Sequence, residues 1–424
     1  MSPADLPTYH TIGIGAGPAN LSLAALFPTA NLGSIALFDQ QPGPAWHPAL
    51  LSPGVRMQTS WMKDLVSLVD PRHPLTFMNY LVTTGRLFAL LNAQFDTIPR
   101  LEYVRYLTWA ANRIHGIHYG ATVDRISYTD DGFEIAVGGE PVARSEHVCI
   151  GVGTRAVRPA WLDALDPKRA FIADDFGWRV DAMKADLNAT VAVVGGGQTG
   201  LECVLKLINA GFTDIRWLGR RQWFQTIDDS PVANEFYRPA HGHFLQQLSR
   251  STRRRLVLEQ GPTGDALTPG ALRVLYQVNY DRMLDLDRFP AVLHPGRDVV
   301  AVDEETDGFR LRCATPGGRE QHHAQYVIVA VGRENTPVPF DEDLQERVEY
   351  DDDGDMFIEP DYSLRWKGMN GHRIYVLNRA RYSHGVPDAN LTLLPVRAAT
   401  VINAMAEREV FRLVDEFCPI RWSA

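Results

Sequence analysis

The stretch GIGAGPAN, Gly13–Asn20, decides how the rest of the chain is read. A short apolar segment, His10–Ile14, runs into its glycines, the helical-looking Leu21–Phe27 follows, and SIALFD occupies 34–39. Strand, tight turn, helix and strand open a βαβ unit, in which backbone N–H groups at a helix N-terminus hold the pyrophosphate of a dinucleotide. In the register that begins at Gly15, Asn20 stands where a third glycine normally lets helix and strand pack closely. Two readings of Asn20 follow: the helix stands slightly farther from the sheet, or the side chain makes a polar contact in the cofactor loop. Asp39 ends the second strand, where a carboxylate accepts hydrogen bonds from an adenosine ribose. Its plain alternative is a solvated strand-end charge.

The pattern returns further along. Thr190–Val194 is an apolar strand, GGGQTG occupies 195–200, LECVLKLINAG continues as a helix and DIRWLGRR supplies the next strand. Gly195, Gly197 and Gly200 serve the turn, the close phosphate approach and the helix packing in that order. One such loop is weak evidence, but two in the same strand–turn–helix–strand setting rarely arise by accident. The second copy has Gly219-Arg220-Arg221 where the first has Asp39. Guanidinium groups cannot accept ribose hydrogen bonds, yet they suit the additional phosphate of NADP. The sequence therefore predicts an ordinary adenine dinucleotide in the first unit and NADPH in the second.

Each unit carries its own hairpin and closing strand. ATVDRISYTDDGFEIAV at 121–137 turns about Asp-Gly before HVCIGVG at 147–153, and DVVAVDEETDGFRLRC at 298–313 precedes YVIVAVG at 326–332. Between them, 222–297 differs in character and reads as a small, mainly helical substrate subdomain, in which the Arg253–Arg255 run is a solvated helix face. The expected fold is α/β, with two Rossmann-like dinucleotide-binding domains and this helical insert. Residues 1–170 begin the first domain, 171–221 begin the second, 222–297 form the insert, 298–335 complete the second and 336–424 complete the first. Tandem units of this form usually hold FAD and NAD(P)H, which is an analogy of fold.

A chain of 424 residues with 45% apolar and 22% charged residues is long enough for several buried cores. Its formal charge of −9 speaks against general nucleic-acid binding and points to small molecules. No apolar stretch reaches the ~18 residues of a membrane helix, and MSPADLPTYH lacks the basic start and apolar run of a secretory signal. The expected compartment is the cytoplasm, with no membrane partner. Cys149, Cys203, Cys313 and Cys418 are scattered without a CxxC pair, so a flavoprotein disulfide reductase, which needs a redox pair, is excluded, and no metal site is expected.

Together these motifs resemble the flavin-dependent N-hydroxylating monooxygenases of siderophore biosynthesis, which act on the terminal amine of lysine, ornithine or an aliphatic diamine. The similar stretches are the GxGPxN(L)SL form at 15–23, Trp46-His47, MQTSWMKDLVSLVDPRHPLTFMNYL at 57–81, GGGQTG at 195–200, DDSPVANEF at 228–236 and HGVPDANLTLLPVRAA at 384–399. A Baeyer–Villiger or sulfur-oxygenating flavoprotein would not explain the matches at 57–81 and 228–236. A nucleotide-sensing protein without activity would bind FAD but form no hydroxylamine.

The resemblance implies FAD and NADPH as cofactors, a primary amine and O2 as substrates, and a homo-oligomer. Carried over, Gly15, Gly17, Pro18, Asn20, Asp39 and Gln40 hold FAD, with Trp46, His47, Met57, Gln58, Leu391 and Leu393 near the flavin. Gly195, Gly197, Gln198, Thr199, Gly200, Arg220 and Arg221 hold NADPH. Asn234 lies at the join of nicotinamide and substrate, and with Gln58 it is the implied catalytic pair. Lys63, Asn279 and Thr392 contact substrate, Lys63 through a carboxylate if one is present. Lys63 also reads as a surface charge and Asn279 as a capping residue. The stretch 85–111 looks like the lysine and diamine members, whereas Asn279-Tyr280 is reminiscent of the ornithine group. Val331 and Arg333 depart from the threonine and aromatic residue of many relatives.

The implied chemistry is N-hydroxylation by O2 through a flavin C4a-hydroperoxide, attacked by the neutral amine. An amine of reference pKa near 10.4 is about one part in a thousand free base at neutral pH. The site must therefore take its proton or depress its pKa. No single Asp, Glu or His in the sequence is an obvious base for that step.

Overall fold

The computed structural model describes residues 6–422 apart from Ser52, Thr59, Met369 and Glu416, together with everything but the side chain of Ala389. Part of the quoted N-terminal stretch, Met1–Asp5, therefore lies outside the described residues.

The strand Thr8–Ile14 feeds the first glycine loop and is buried from Thr11 onward. It pairs in parallel with Ile35–Asp39, where Ile12 faces Ala36 and Ile14 faces Phe38, and with Glu140–Ile150, where Ile14 faces Ile150. A parallel strand covered on both faces is buried along its length, as this one is from Thr11 to Ile14. The helix Pro18–Leu26 covers one face, packed against the late helix Leu394–Met405. The expected hairpin is present as Val123–Thr129 against Gly132–Val137, and its second strand pairs with the first half of Glu140–Ile150. Arg373–Val376 pairs in parallel with the second half, from His147 to Ile150, so the C-terminal segment returns to the first unit.

The second unit has five parallel strands in the spatial order Ala291–Pro295, Ile215–Gly219, Val191–Val194, Tyr326–Val329 and Ala170–Ile172. Strands Asp298–Glu305, Gly308–Thr315 and Gly318–Ala324 form a separate antiparallel sheet beside it. The two glycine loops have the same anchor: Gly15 N–H donates to Phe38 O at 2.7 Å and Gly195 N–H to Leu218 O at 2.8 Å.

The segment 222–297 is not one helical body. Its last part, the helix Pro269–Leu286 and the strand Ala291–Pro295, is the third crossover of the second unit, with the helix packed on Gln198–Ala210. The insert proper is 222–268, with short helices Pro231–Asn234, Pro239–Gln246 and Arg250–Glu259. Its Leu245 and Val257 pack with Val386 of the C-terminal segment. A buried ion pair ties the two nucleotide units: Arg100, opening the helix Arg100–Ala111, makes two 2.8 Å bonds to Glu202 on the helix Gln198–Ala210. No helix among the described residues is long and apolar enough to cross a membrane.

Candidate cofactor and substrate cleft

In the first loop Asn20 is fully buried beneath the turn. Its Nδ2 donates to Gly15 O at 2.7 Å and Ile14 O at 3.1 Å. Room for it comes from two glycines, since a Cβ on Gly151 would stand 2.5 Å from Nδ2 and one on Gly13 3.0 Å. The polar contact that Asn20 makes in the loop is thus to the protein's own backbone. Asp39 braces the same loop, accepting from Ala16 N–H at 2.6 Å through Oδ2 and from Gln41 N–H at 2.7 Å through Oδ1. Each oxygen keeps a lone pair for another donor, and Gln40 is exposed beside it.

The second loop satisfies the corresponding carbonyl differently. Trp217 Nε1–H, reaching from the neighbouring strand, donates to Gly195 O at 2.8 Å. Gly200 makes this possible, because a Cβ there would stand 2.2 Å from Gly195 O and 2.8 Å from the indole nitrogen. Gly195 adopts φ +126°, and a Cβ on it would meet Ala330 O at 2.0 Å.

Both loops fit a dinucleotide. Gly17 and Gly197 cap helices of 9 and 13 residues, neither helix has a side-chain cap or an acidic residue in its first turn, and nothing lies within 4 Å of where either Cβ would be. Free N–H groups and open space at a helix N-terminus are what a phosphate needs.

A cleft of about 520 Å³ lies over the second loop, lined by Gly195–Thr199, Arg220, Arg221, Asp265, Arg297, Arg333, Arg381 and Gln58. Arg220 is exposed and has no partner among the described residues, while Arg221 Nη1 donates to Asp265 O at 3.2 Å. The Gln198 amide is already engaged: its oxygen accepts from Thr268 N–H at 3.0 Å and its nitrogen donates to Glu202 at 3.2 Å. It links the loop to the interdomain ion pair. Arg333, one of the departures in sequence, lies on the cleft wall, bonded to Asp174 at 2.8 Å and to Thr154 Oγ1 at 2.9 Å.

Gln58 belongs to the set expected near the flavin, so its presence on this wall brings that set beside the nucleotide loop. Trp46 packs edge-on to Tyr103 with centroids 5.9 Å apart, and Met57 is buried with its N–H on Ile98 O. His47 sits at φ +50°, a costly backbone state for a non-glycine residue. Burial, with the Arg333 and Arg100 charges, pulls its pKa down to about 4.

Lys63 is half-buried, its pKa is lowered by burial, and its ammonium has no partner among the described residues. The neighbouring Asp64, fully buried, organises this segment by accepting from Val66, Ser67 and Phe77 N–H at 2.9, 2.7 and 2.6 Å. Sequence reading assigned Asp64 nothing, although an Asp before a run of small and apolar residues is a turn former. Thr392 is buried, its N–H and Oγ1–H both held by Asn390 Oδ1, and lies between the part-exposed Leu391 and Leu393. The buried Asp388–Arg397 pair, 3.4 Å apart, fastens that segment to the final helix.

Asn234 ends its short helix exposed, with Nδ2 donating to Asp229 O and Ser230 O, so Oδ1 remains available. Asn279 is different. Its Nδ2 donates to Ala291 O at 2.9 Å and its Oδ1 accepts from Ala291 N–H at 3.0 Å, a bracket between the helix Pro269–Leu286 and the edge strand of the second sheet. Both halves of the amide are spent, and Asn279 is not on the cleft wall.

Residues 7–335 match the family L-lysine 6-monooxygenase/L-ornithine 5-monooxygenase. The chain belongs to this family. It is 30% identical over 421 residues to the L-lysine N6-monooxygenase of Escherichia coli, covering 97% of each chain. It is 24% identical over 416 residues to the putrescine N-hydroxylase of Shewanella oneidensis, covering 95% of this chain and 81% of that one. Its fold matches the FAD-bound cadaverine monooxygenase of the desferrioxamine pathway of Erwinia amylovora with a TM-score of 0.90 and 22% identity, over 98% of this chain and 99% of that one. The protein is an FAD- and NADPH-dependent N-hydroxylating monooxygenase of the lysine, ornithine and diamine group, acting in siderophore biosynthesis. An N-hydroxylase of this kind takes a small primary amine and O2.

Proposed function

We propose that this N-hydroxylase acts on the terminal amine of L-lysine, with FAD on the Gly15 loop and NADPH on the Gly195 loop. The observation that carries the choice is Lys63: a half-buried ammonium without a counter-charge among the described residues favours a substrate that brings a carboxylate. An aliphatic diamine such as cadaverine or putrescine would bring a like charge instead. Asp265 favours that second reading, as a carboxylate on the cleft wall, although Arg381 holds it at 2.5 Å. The mark that pointed to ornithine, Asn279, is occupied by Ala291.

When bound, flavin reduced by NADPH supplies the activated oxygen atom. The protein's own residues hold and condition the amine. Lys63 fixes the carboxylate, and Asn234 Oδ1 accepts from the amine at the insert. His47, uncharged at neutral pH, is too weak a base to take the ammonium proton efficiently. Burial of the amine at the other end of the substrate acts in the same sense as burial acts on the Lys63 ammonium, which releases the amine's proton to solvent before reaction.

The test is hydroxylamine formation by purified holoenzyme with L-lysine, cadaverine, putrescine and L-ornithine, with NADPH oxidation and peroxide release recorded in parallel. L-Lysine should give the most product. Product from none of them, with FAD bound, would refute the reading. Lys63→Ala should cut turnover of L-lysine far more than of cadaverine, and an equal loss would remove the carboxylate contact.

A further inference from the structure

Besides Arg220 and Arg221, and apart from Arg333 and Arg381, which are paired with Asp174 and Asp265, the nucleotide cleft holds one further guanidinium, that of Arg297. After the edge strand Ala291–Pro295 the backbone folds back on the strand end at Gly219–Arg221. Gly296 N–H donates to Arg221 O at 2.7 Å and Arg297 N–H to Gly219 O at 2.9 Å. Gly296 adopts φ +72°, and a Cβ there would stand 2.9 Å from Gln222 Oε1, so the turn requires glycine. These two bonds put Arg297 on the same cleft wall as Arg220 and Arg221.

The Arg297 head is also oriented. Nε donates to Glu320 Oε2 at 3.0 Å and Nη1 to Pro295 O at 2.7 Å. A guanidinium has five N–H donors, so three remain free. Glu320 Oε1 lies 3.0 Å from His322 Nε2. Burial holds His322 below the ordinary imidazole range, so at neutral pH Arg297 is the cation that Glu320 serves. Arg220, by contrast, is exposed and has no partner among the described residues. An oriented arm beside unengaged donors suits a dianionic group.

We infer that Arg297 is a specificity-determining residue for NADPH, forming with Arg220 and Arg221 a seat for the 2′-phosphate, and that Glu320 is its positioning residue. This rests on the assignment of the Gly195 loop to NADPH. Glu320 contributes by fixing one edge of the guanidinium, so that its other edge meets the phosphate without losing rotamer freedom on binding.

The experiment is a calorimetric titration of FAD-loaded protein with adenosine 2′,5′-bisphosphate (2′,5′-ADP) and with 5′-AMP, which differ only in the 2′-phosphate. Wild type should prefer 2′,5′-ADP, and Arg297→Ala should weaken it by about tenfold while leaving 5′-AMP unchanged. Glu320→Gln should give a smaller loss in the same direction, about threefold, and Arg297→Lys should fall between, since a point charge replaces a bidentate fork. If Arg297→Ala does not fold, Glu320→Gln and Arg297→Lys decide. An equal loss of both probes, or none, would overturn the inference and leave Arg297 a structural residue of the turn. Selective loss in Arg220→Ala alone overturns the role of Arg297 but keeps the loop assignment. A wild type indifferent to the 2′-phosphate overturns both.

Discussion

The two glycine loops solve one problem in two ways. In each, the carbonyl of the first glycine points into protein, away from solvent, and must be paired. In the first unit Asn20 pairs it from the helix side, and glycines at 13 and 151 make the room. In the second Trp217 pairs it from the strand side, and glycine at 200 makes the room. The third glycine of the usual pattern is therefore one answer to a hydrogen-bonding requirement. Where the helix supplies its own donor, the glycines move to the strands.

The exchange of one solution into the other frame should fail in a graded way. Gly200→Asn forces a Cβ to within 2.2 Å of backbone at Gly195 and against the indole of Trp217. It should cost about 3 kcal/mol in the second unit and abolish NADP+ binding, read by denaturant unfolding and titration. Asn20→Gly restores the usual pattern in sequence but strips the carbonyl of Gly15 of its donor, while Ile14 O keeps the Gly151 N–H. We expect a loss of about 2–3 kcal/mol and earlier release of flavin on heating; unchanged stability would mean the donor is dispensable. Trp217→Phe keeps most of the ring and loses the N–H, for about 1–2 kcal/mol, with the flavin release temperature unmoved.

Both loops were legible because their chemistry is local: glycine spacing, a following helix and a charged strand end lie within one βαβ unit. Asp39 and Arg220 were readable for the same reason. What stayed hidden depends on tertiary closure. Asn279 was expected to contact substrate, but the sequence does not say which side of a helix faces the cleft, and its amide bonds to the edge strand instead. The helix carrying it exposes Val274, Tyr276, Tyr280 and Leu284, which blurs the apolar periodicity that would have assigned it to the second unit. That is why 222–297 read as one insert. Arg297 was invisible as a cleft residue because its position depends on a turn closing onto Gly219 and a carboxylate on another sheet.

The division of labour between the two units is tested most directly by measuring retained flavin per protomer and the dissociation constant for NADP+ in wild type, Asp39→Ala and Arg220→Ala. Asp39→Ala should purify with depleted flavin and, once reloaded with FAD, bind NADP+ normally. Arg220→Ala should keep its flavin and lose affinity for NADP+ while NAD+ is unaffected. The reverse pattern, with flavin lost on removal of Arg220 or NADP+ selectivity lost on removal of Asp39, would contradict that division of labour.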